Sequence, residues 1–374
     1  MTLEENTLKK IKTLAYQNDF NDKETTYFIE LVNSGTSIDK AIDMVEERKL
    51  TKKSVKKSYK EVTSTRHKAN ISEYKAAKEE LLTYARQGDA DGQCALGYMY
   101  YTGEGVPQDY KEAVKWFRKA AEQGNADGQC YLGLMYNDGK GVPQNYKDAM
   151  KWIRKAAEQG GAEGQYYLGH MYYAGEGGTQ NCKEAMKWFR KAAEQGNADG
   201  QCYLGLMYND GIGVPQDSKK AMKWIRKAAE QGGAEGQCYL GLMYKNGIGV
   251  PQDYKEAMKW IRKAIEQGNG TAQRELGLMY YTGEGVPQDY KEAVKWFRKA
   301  AEQGNADGQS DLGYMYYTGE GVPQDYKKAM KWLRKAAEQG NGTAQGMLYK
   351  MYYTGEGVPQ DYKEADKWLR KMAE

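Results

Sequence analysis

The segment ADGQCALGYMYYTGEGVPQDYKEAVKWFRKAAEQGN, residues Ala90–Asn125, is the first of eight consecutive copies of one 36-residue unit. The copies begin at Ala90, Ala126, Ala162, Ala198, Ala234, Gly270, Ala306 and Gly342. Each copy carries one tryptophan, at Trp116, Trp152, Trp188, Trp224, Trp260, Trp296, Trp332 and Trp368. A period that is unbroken over this length is the sequence signature of a repeat architecture.

Each unit predicts two short helices. Leu96, Met99 and Tyr100 have helical spacing in the first helix, although Gly97 lies beside them. A glycine inside a helix costs about 1 kcal/mol, so its repetition predicts the close approach of a neighbouring helix. The second helix carries an apolar stripe of Ala113, Trp116, Phe117, Ala120 and Ala121. This stripe assigns the tryptophans to the core.

The residues between and after the two helices predict where each helix ends. Gly103 and Pro107 interrupt the pattern, because glycine favours left-handed turns and proline cannot continue a helix. Asp109, followed three residues later by Glu112, is typical of a helix N-terminus. Gly124 lies where a helix C-terminus commonly adopts a positive φ.

One helix pair cannot bury its own apolar stripe, so the pairs are expected to stack. A half-repeat at residues 74–89 precedes the first copy, and there Glu80 replaces the tryptophan. In the final copy Asp366 stands where the others have valine or methionine. Polar residues at both ends suit the outer faces of a stack. We therefore predict a solenoid over residues 71–374, with residues 1–70 as a separate helical segment.

The pattern LGxMY…GxGVPQDYxxAxxWxRKAAEQG resembles the Sel-one-like repeat, a relative of the tetratricopeptide repeat, over residues 74–374. The resemblance implies an all-α fold, a right-handed α/α superhelical solenoid of helix-turn-helix repeats. It also implies an adaptor, because such proteins act in bacterial signalling, envelope assembly, host interaction and, in eukaryotes, quality control of secretory proteins. Tyr349 replaces the helical glycine of the last copy, a departure that bears on the packing of that copy.

Residues 1–70 also have a helical pattern. Residues 22–33 and 37–48 carry apolar stripes that include Tyr27, Phe28 and Leu31, then Ile38, Ile42 and Val45. A basic run follows, with Lys52, Lys53, Lys56, Lys57 and Lys60. This arrangement weakly resembles a helix-turn-helix reader of nucleic acid. A solvated helix face accounts for the same charges, and both interpretations stay open.

The charge balance argues against a nucleic-acid partner for the whole chain, because 55 Lys and Arg face 51 Asp and Glu. No segment reaches the roughly 18 apolar residues of a membrane span, and the N-terminus lacks the apolar run of a secretory signal. Five cysteines, an odd number, fit a reducing compartment better than a disulfide framework. These features predict a cytoplasmic protein without a membrane partner.

The pattern brings no dissimilar reactive groups together. His67 and His170, the only histidines, have no nucleophile motif nearby. Four copies have a cysteine at one equivalent position, Cys94, Cys130, Cys202 and Cys238, so helix packing holds them roughly 10 Å or more apart, too far for a disulfide or shared metal. The Gly-x-Gly of each turn lacks the further features of a dinucleotide site. We predict no enzyme activity, cofactor, metal or small-molecule substrate, with a hydrolase as the remote alternative.

The copies differ most at three first-helix positions, those of Cys94, Tyr98 and Tyr101, which share one helix face. By resemblance to tetratricopeptide repeats, this face lines a concave groove that takes peptides. Tyrosine and arginine are enriched in binding hot spots. The predicted partner-binding residues are Tyr98, Tyr101, Tyr166, His170, Tyr173, Lys245, Arg274, Tyr281, Tyr314, Tyr317, Lys350 and Tyr353. The alternative is that some of these positions, above all the cysteines and leucines, only fill space between helices.

The favoured hypothesis is a cytoplasmic scaffold whose groove binds a protein segment, in a bacterial signalling, stress or host-interaction pathway. The alternative is a regulator whose basic N-terminal segment binds nucleic acid while the repeats bind a partner.

Overall fold

A computed structural model describes residues 82–373 together with isolated positions between 25 and 45. Residues 90–373 form sixteen helices: α1 (Ala90–Thr102), α2 (Tyr110–Glu122), α3 (Ala126–Asp138), α4 (Tyr146–Glu158), α5 (Ala162–Ala174), α6 (Cys182–Glu194), α7 (Ala198–Asp210), α8 (Ser218–Glu230), α9 (Ala234–Asn246), α10 (Tyr254–Glu266), α11 (Gly270–Thr282), α12 (Tyr290–Glu302), α13 (Ala306–Thr318), α14 (Tyr326–Glu338), α15 (Gly342–Thr354) and α16 (Tyr362–Ala373). Odd-numbered helices are the first helices of the repeats, and even-numbered helices are the second. The chain divides into two compact units, residues 1–144 and 145–374.

The predicted helix ends are confirmed in the first repeat. Helix α1 ends at Thr102, and Gly103 follows in the left-handed conformation with φ of 78°. The Asp109 carboxylate caps α2 by accepting hydrogen bonds from the amides of Lys111 and Glu112. Gly124 has φ of 87°. The turn glycines and the capping aspartate therefore set the ends of the two helices, each of thirteen residues and joined by a short turn.

Within each unit, the two helices of a repeat meet at what we call the glycine seam, the contact between the helical glycine of the first helix and one buried side chain of the second. A Cβ atom on Gly205 would lie 2.5 Å from Cγ1 of Ile225, and one on Gly169 would lie 2.7 Å from Cδ1 of Phe189. Ile225 is only 1% exposed. The predicted reason for the repeated glycine, a closely approaching helix, is confirmed.

Adjacent repeats within each unit are joined by polar contacts as well as by apolar packing. In the second unit, the buried Gln201 side chain donates to the Ala193 carbonyl at 3.1 Å and accepts from Gln231 at 2.6 Å. The Arg190 guanidinium donates to the Tyr208 hydroxyl at 3.0 Å. First helices of adjacent repeats also contact each other, as α7 does with α9. Stacking thus satisfies buried polar groups that one repeat alone would leave unpaired.

The placement of the tryptophans in the core was only partly right. Trp188 and Trp368 are buried, whereas the other six tryptophans are half-buried. A lysine three residues later covers the ring: the Lys119 ammonium lies 4.2 Å from the Trp116 centroid. The fully buried position is the next residue, Phe117 in the first repeat. Tryptophan therefore flanks the core, and a lysine stem shields its outer face.

The final repeat packs differently from the others. Tyr349 occupies the seam position of glycine, and Leu369, equivalent to the buried Ile225, is 46% exposed. Trp368 is 3% exposed and takes the central place instead. Asp366 lies on the surface with its carboxylate 2.7 Å from the Arg370 guanidinium. The predicted polar character of this end is confirmed at Asp366.

The N-terminal predictions fall largely outside the described residues. These include residues 74–81 of the half-repeat and the basic residues Lys52, Lys53, Lys56, Lys57 and Lys60. Residues 82–86 are helical. Among the described positions, Phe28 and Val45 are fully buried, as their stripes predict, but Ile38 is 39% exposed. Ile38 therefore does not lie on a buried face.

Candidate partner-binding site

The three variable positions of the first helix differ in exposure. The cysteines at the first position are buried, with Cys202 and Cys238 at 1% and 2% exposed, so filling space is the correct interpretation for them. The positions of Tyr98 and Tyr101 are half-buried or exposed throughout the repeats. We call the surface formed by these two positions the first-helix face. The leucines there, such as Leu206, are half-buried.

In the first unit, the face carries a small aromatic cluster with a lysine. The Tyr98 ring lies 6.4 Å from that of Tyr101 and 5.5 Å from that of Tyr131. The Lys140 ammonium lies 5.5 Å from the Tyr101 ring centroid and 2.9 Å from the Asp138 carboxylate. The predicted residues Tyr98 and Tyr101 are thus brought together, beside an intramolecular cation.

In the second unit, three predicted residues surround Tyr203, which the sequence analysis did not select. The ring centroids of Tyr166, His170 and Tyr173 lie 5.8, 5.8 and 6.2 Å from that of Tyr203. The Tyr203 ring also stacks on the buried Phe189 at 5.1 Å. The cluster is therefore anchored in the core, which limits the entropy lost when a ligand contacts it.

A cleft of about 500 Å³ opens beside this cluster. We call it the aromatic cleft. Its walls include Tyr173, Tyr203 and Tyr239, the aliphatic side chains of Leu206 and Leu242, and the Glu235 carboxylate. No lysine, arginine or histidine is among the described residues that line it. Concave sites with apolar walls and few polar groups are typical of binding sites.

Glu235, which lines the aromatic cleft, interacts electrostatically with Asp199. Burial raises the pKa of Asp199 and of Glu235, and the Asp199 charge raises the Glu235 pKa further. His170 lowers the Glu235 pKa and so offsets part of the rise. Burial, with a contribution from the Glu235 charge, raises the pKa of Tyr239 to about 12. Tyr239 is therefore neutral at physiological pH.

Lys245 and Arg274 lie in an ion-pair network that joins repeats five to seven. The Lys245 ammonium is 3.1 Å from Glu275 and 3.7 Å from Glu284. The Arg274 guanidinium donates to Asp311 at 2.7 Å. Burial raises the Asp311 pKa, and Arg274 offsets part of that rise. The charges of Lys245 and Arg274 are therefore paired with carboxylates of neighbouring repeats.

Three of the remaining predicted residues, Tyr281, Tyr317 and Lys350, contact side chains of adjacent repeats. The hydroxyls of Tyr281 and Tyr317 donate to Glu320 at 3.3 Å and to Glu356 at 2.5 Å. The Lys350 ammonium lies 3.1 Å from the Tyr317 hydroxyl and 5.3 Å from its ring centroid. Tyr314 and Tyr353 are 39% and 50% exposed. Of the predicted residues, these two tyrosines offer the most open rings.

The sequence analysis missed one position of the first helix, that of Ala95. Its equivalents in later copies are Tyr131, Tyr167, Tyr203, Tyr239, Glu275, Asp311 and Met347. They supply the hub of the aromatic cluster and the acceptors for Lys245 and Arg274. The signal was present, because the position varies in charge, but four successive tyrosines made it look constant.

The residues that the structure describes also bear on metal binding, membrane insertion and thiol chemistry. No group of three His, Cys, Asp or Glu side chains there is arranged to hold a metal ion. None of the helices found in that part is long and apolar enough to cross a membrane. The five cysteines carry free thiols. Burial raises the pKa of the Cys238 thiol to about 12, which disfavours a reactive thiolate.

Comparison with known proteins identifies the repeat. The sequence profile described as "Sel1 repeat" matches residues 90–125, 126–161, 162–197, 198–233, 234–269, 270–305, 306–341 and 346–374. A Sel1 repeat protein from Oxalobacter formigenes is 36% identical, with 87% of this chain and 93% of that chain covered and a TM-score of 0.54. The chain is also similar to c5321, a protective antigen of uropathogenic Escherichia coli with an SLR fold, at 34% identity, 85% and 79% coverage and a TM-score of 0.51.

A more distant likeness concerns the fold alone. The human IFIT1 dimer with PPP-AAAA is 13% identical, with 100% of this chain and 95% of that chain covered and a TM-score of 0.52. No match was found among curated proteins. The profile covers most of the chain, and the structure is built of tandem helix pairs, so the predicted all-α repeat solenoid is confirmed. The chain belongs to the Sel1 repeat family.

Proposed function

We propose that this chain is a non-catalytic scaffold whose first-helix face binds a segment of a partner protein, in a bacterial signalling, stress or host-interaction pathway. Sel1 repeat proteins typically mediate protein–protein interactions. The proposal adds the face that is used and the kind of pathway.

The observation that supports this proposal is the contrast between constant and variable positions on the same helices. The position of Gly205 is glycine in seven of eight copies, because a neighbouring side chain fills the space. The adjacent position, that of Leu206, holds tyrosine, leucine, histidine or lysine. Surface positions that vary within a rigid frame are where repeat proteins place recognition. The open aromatic cleft lies at these positions.

The proposed compartment is the cytoplasm. Its support is the set of five free thiols, four of them buried at one equivalent repeat position. Thiol labelling of the protein in intact native cells tests this placement. Recovery of the cysteines as disulfides would contradict it.

The function is tested by photo-cross-linking and affinity capture from the native cell. One variant combines His170→Ala, Tyr314→Ala and Tyr353→Ala, which remove three side chains at least partly exposed on the first-helix face. The control combines Lys115→Ala, Lys259→Ala and Lys295→Ala, whose side chains are 66%, 54% and 54% exposed on second helices. We expect the first variant alone to lose its partners, by about tenfold in recovery. Equal recovery with both variants would refute a role for the first-helix face.

A further inference from the structure

The first-helix side of the second unit carries a strong excess of negative charge. Across the first helices and the turns that follow them in repeats three to eight, leaving aside the residues that cap the second helices, eleven acidic residues face three basic ones. The three basic residues are Lys245, Arg274 and Lys350. Each is engaged by a carboxylate of the same unit, at 3.1, 2.7 and 3.9 Å respectively. A partner that carried positive charge would therefore meet acidic groups without displacing these pairs.

Two other tyrosines of the face show how a cation fits there. Beside Tyr317, the Lys350 ammonium lies 5.3 Å from the ring centroid and 3.9 Å from the Glu356 carboxylate. Beside Tyr101 in the first unit, the Lys140 ammonium lies 5.5 Å from the ring centroid. Both lysines come from the repeat that follows the tyrosine. The arrangement of ammonium, ring and carboxylate is a cation–π contact with a counter-ion.

The aromatic cleft has the rings and the carboxylate of this arrangement but aliphatic residues in place of the lysine. Tyr173 occupies the repeat position of Tyr101 and Tyr317. The positions aligned with Lys350 and Lys140 hold Leu206 and Ile212, and both line the cleft. In the described part of the chain, no lysine or arginine lies over the ring of Tyr203 or Tyr239. The site is thus formed, and none of the described residues that line it is a lysine or arginine.

We propose that the aromatic cleft receives a lysine or arginine side chain of the bound partner segment, with the alkyl stem between Leu206 and Leu242 and the cationic end at Glu235 and the tyrosine rings. This inference rests on the proposed function, because it specifies the chemistry of the segment that the face binds. A cation there would also favour the ionised Glu235 carboxylate, whose pKa is raised by burial and, less strongly, by the Asp199 charge.

The test begins with short peptides of random sequence, displayed on phage and selected on the full-length chain. Selected peptides are synthesised with a fluorescent label, and their affinity is measured by anisotropy. We expect enrichment of lysine and arginine, and a loss of affinity of about tenfold when the critical cation of the peptide is changed to glutamine. Glu235→Gln should weaken the original peptide by a similar factor.

A second variant supplies the missing internal cation. Leu206→Lys places a lysine at the position aligned with Lys350, so it should occupy the cleft and compete with the peptide. Leu278→Lys makes the same change at the aligned position of repeat six, outside the cleft, and should leave binding within about twofold of wild type. Circular dichroism of each variant establishes that the helices are intact.

The outcomes separate this inference from the proposed function. Peptides that bind the first-helix face but lack enriched cations, or that bind Glu235→Gln and Leu206→Lys like wild type, would overturn the cation site and leave the scaffold in place. Selected peptides that bind the His170, Tyr314 and Tyr353 triple variant and Glu235→Gln equally well would overturn both.

Discussion

Gly205 and Leu206 are consecutive residues of α7 that lie in different environments. Gly205 belongs to the glycine seam, where Ile225 leaves no room for a Cβ atom, and Leu206 lines the aromatic cleft. Packing holds the first position constant, because any larger side chain must displace a helix. The second position is free to differ between repeats. Stability and recognition are therefore assigned to neighbouring residues, and substitutions can test them separately.

The largest expected loss of stability comes from substituting Ile225, the buried side chain of the glycine seam. Ile225→Ala should lower the free energy of unfolding by about 2–5 kcal/mol, because it leaves a cavity at a side chain that is 1% exposed. Leu369→Ala, at the equivalent position of the final repeat, is the matched control, since Leu369 is 46% exposed. Urea unfolding followed by circular dichroism measures both. Similar losses in the two variants would contradict the distinct packing of the final repeat.

The next largest loss of stability is expected from substituting Gly205, the glycine of the seam. Gly205→Ala should cost about 1–3 kcal/mol, because the new methyl group would lie 2.5 Å from Ile225 and force the helices apart. Gly346→Ala provides the contrast, because the nearest atom to its Cβ is the flexible Met372 methyl at 3.6 Å. There the gain in helix propensity should stabilise the protein by up to about 1 kcal/mol. If both alanines stabilise the protein in thermal unfolding, the seam does not explain the repeated glycine.

A smaller effect is expected in the ion-pair network. Arg274→Met should cost about 1–2 kcal/mol at neutral pH, because it leaves Asp311 partly buried without its donor. Without Arg274 the folded-state pKa of Asp311 rises further above the unfolded value. The deficit is therefore full above that raised pKa and shrinks as the pH falls through it.

Two measurements test whether the stability deficit of Arg274→Met shrinks as the pH falls. Unfolding free energies of wild type and Arg274→Met should converge as the pH is lowered, although the carboxylates of Glu275 and Asp307 also lie within 4 Å of Arg274. The double variant Arg274→Met, Asp311→Leu should recover most of the lost stability at neutral pH, since neither partner is then left unpaired. A deficit that stays constant as the pH falls would mean that Arg274 acts through packing alone.

The seam was open to prediction from sequence because its residues repeat. A helical glycine that costs stability in seven copies has to be explained by packing, and the structure gives that explanation. The identity of the central side chain was harder to predict. Trp116 and Phe117 both fall within one apolar stripe, and only the helix on the far side decides which ring is covered. The sequence pattern placed both rings in the core, and only Phe117 is fully buried.

The face could be located from sequence, but its contacts could not. Lys245 and Arg274 look like free cations in a variable groove. Their partners, Glu275 and Asp311, come from the following repeat, 30 and 37 residues later. Such pairs depend on the register between stacked helices, which periodicity within one repeat does not specify. For the same reason the sequence did not indicate Tyr203, whose place in the aromatic cluster depends on contacts with rings of the preceding repeat.

The smallest expected change in stability is at the aromatic cleft. Because the Glu235 pKa is raised in the folded protein, its ionised form is less favourable there than in the unfolded chain. Glu235→Gln should therefore be as stable as wild type or slightly more stable at neutral pH, within about 0.5 kcal/mol. That difference should vanish below the ordinary glutamate pKa of 4.5, where wild type is protonated as well.

Thermal unfolding at neutral and acidic pH measures this difference, with Glu256→Gln as the control. Glu256 pairs with Lys259 at 3.1 Å, so its loss should be neutral or slightly destabilising. The Asp199 charge adds to the expected gain in Glu235→Gln, and the interaction of Glu235 with His170 reduces it. A clear loss of stability would assign Glu235 to the frame of the fold. Unchanged or higher stability together with lost affinity for a cationic peptide is the behaviour of a residue retained for binding.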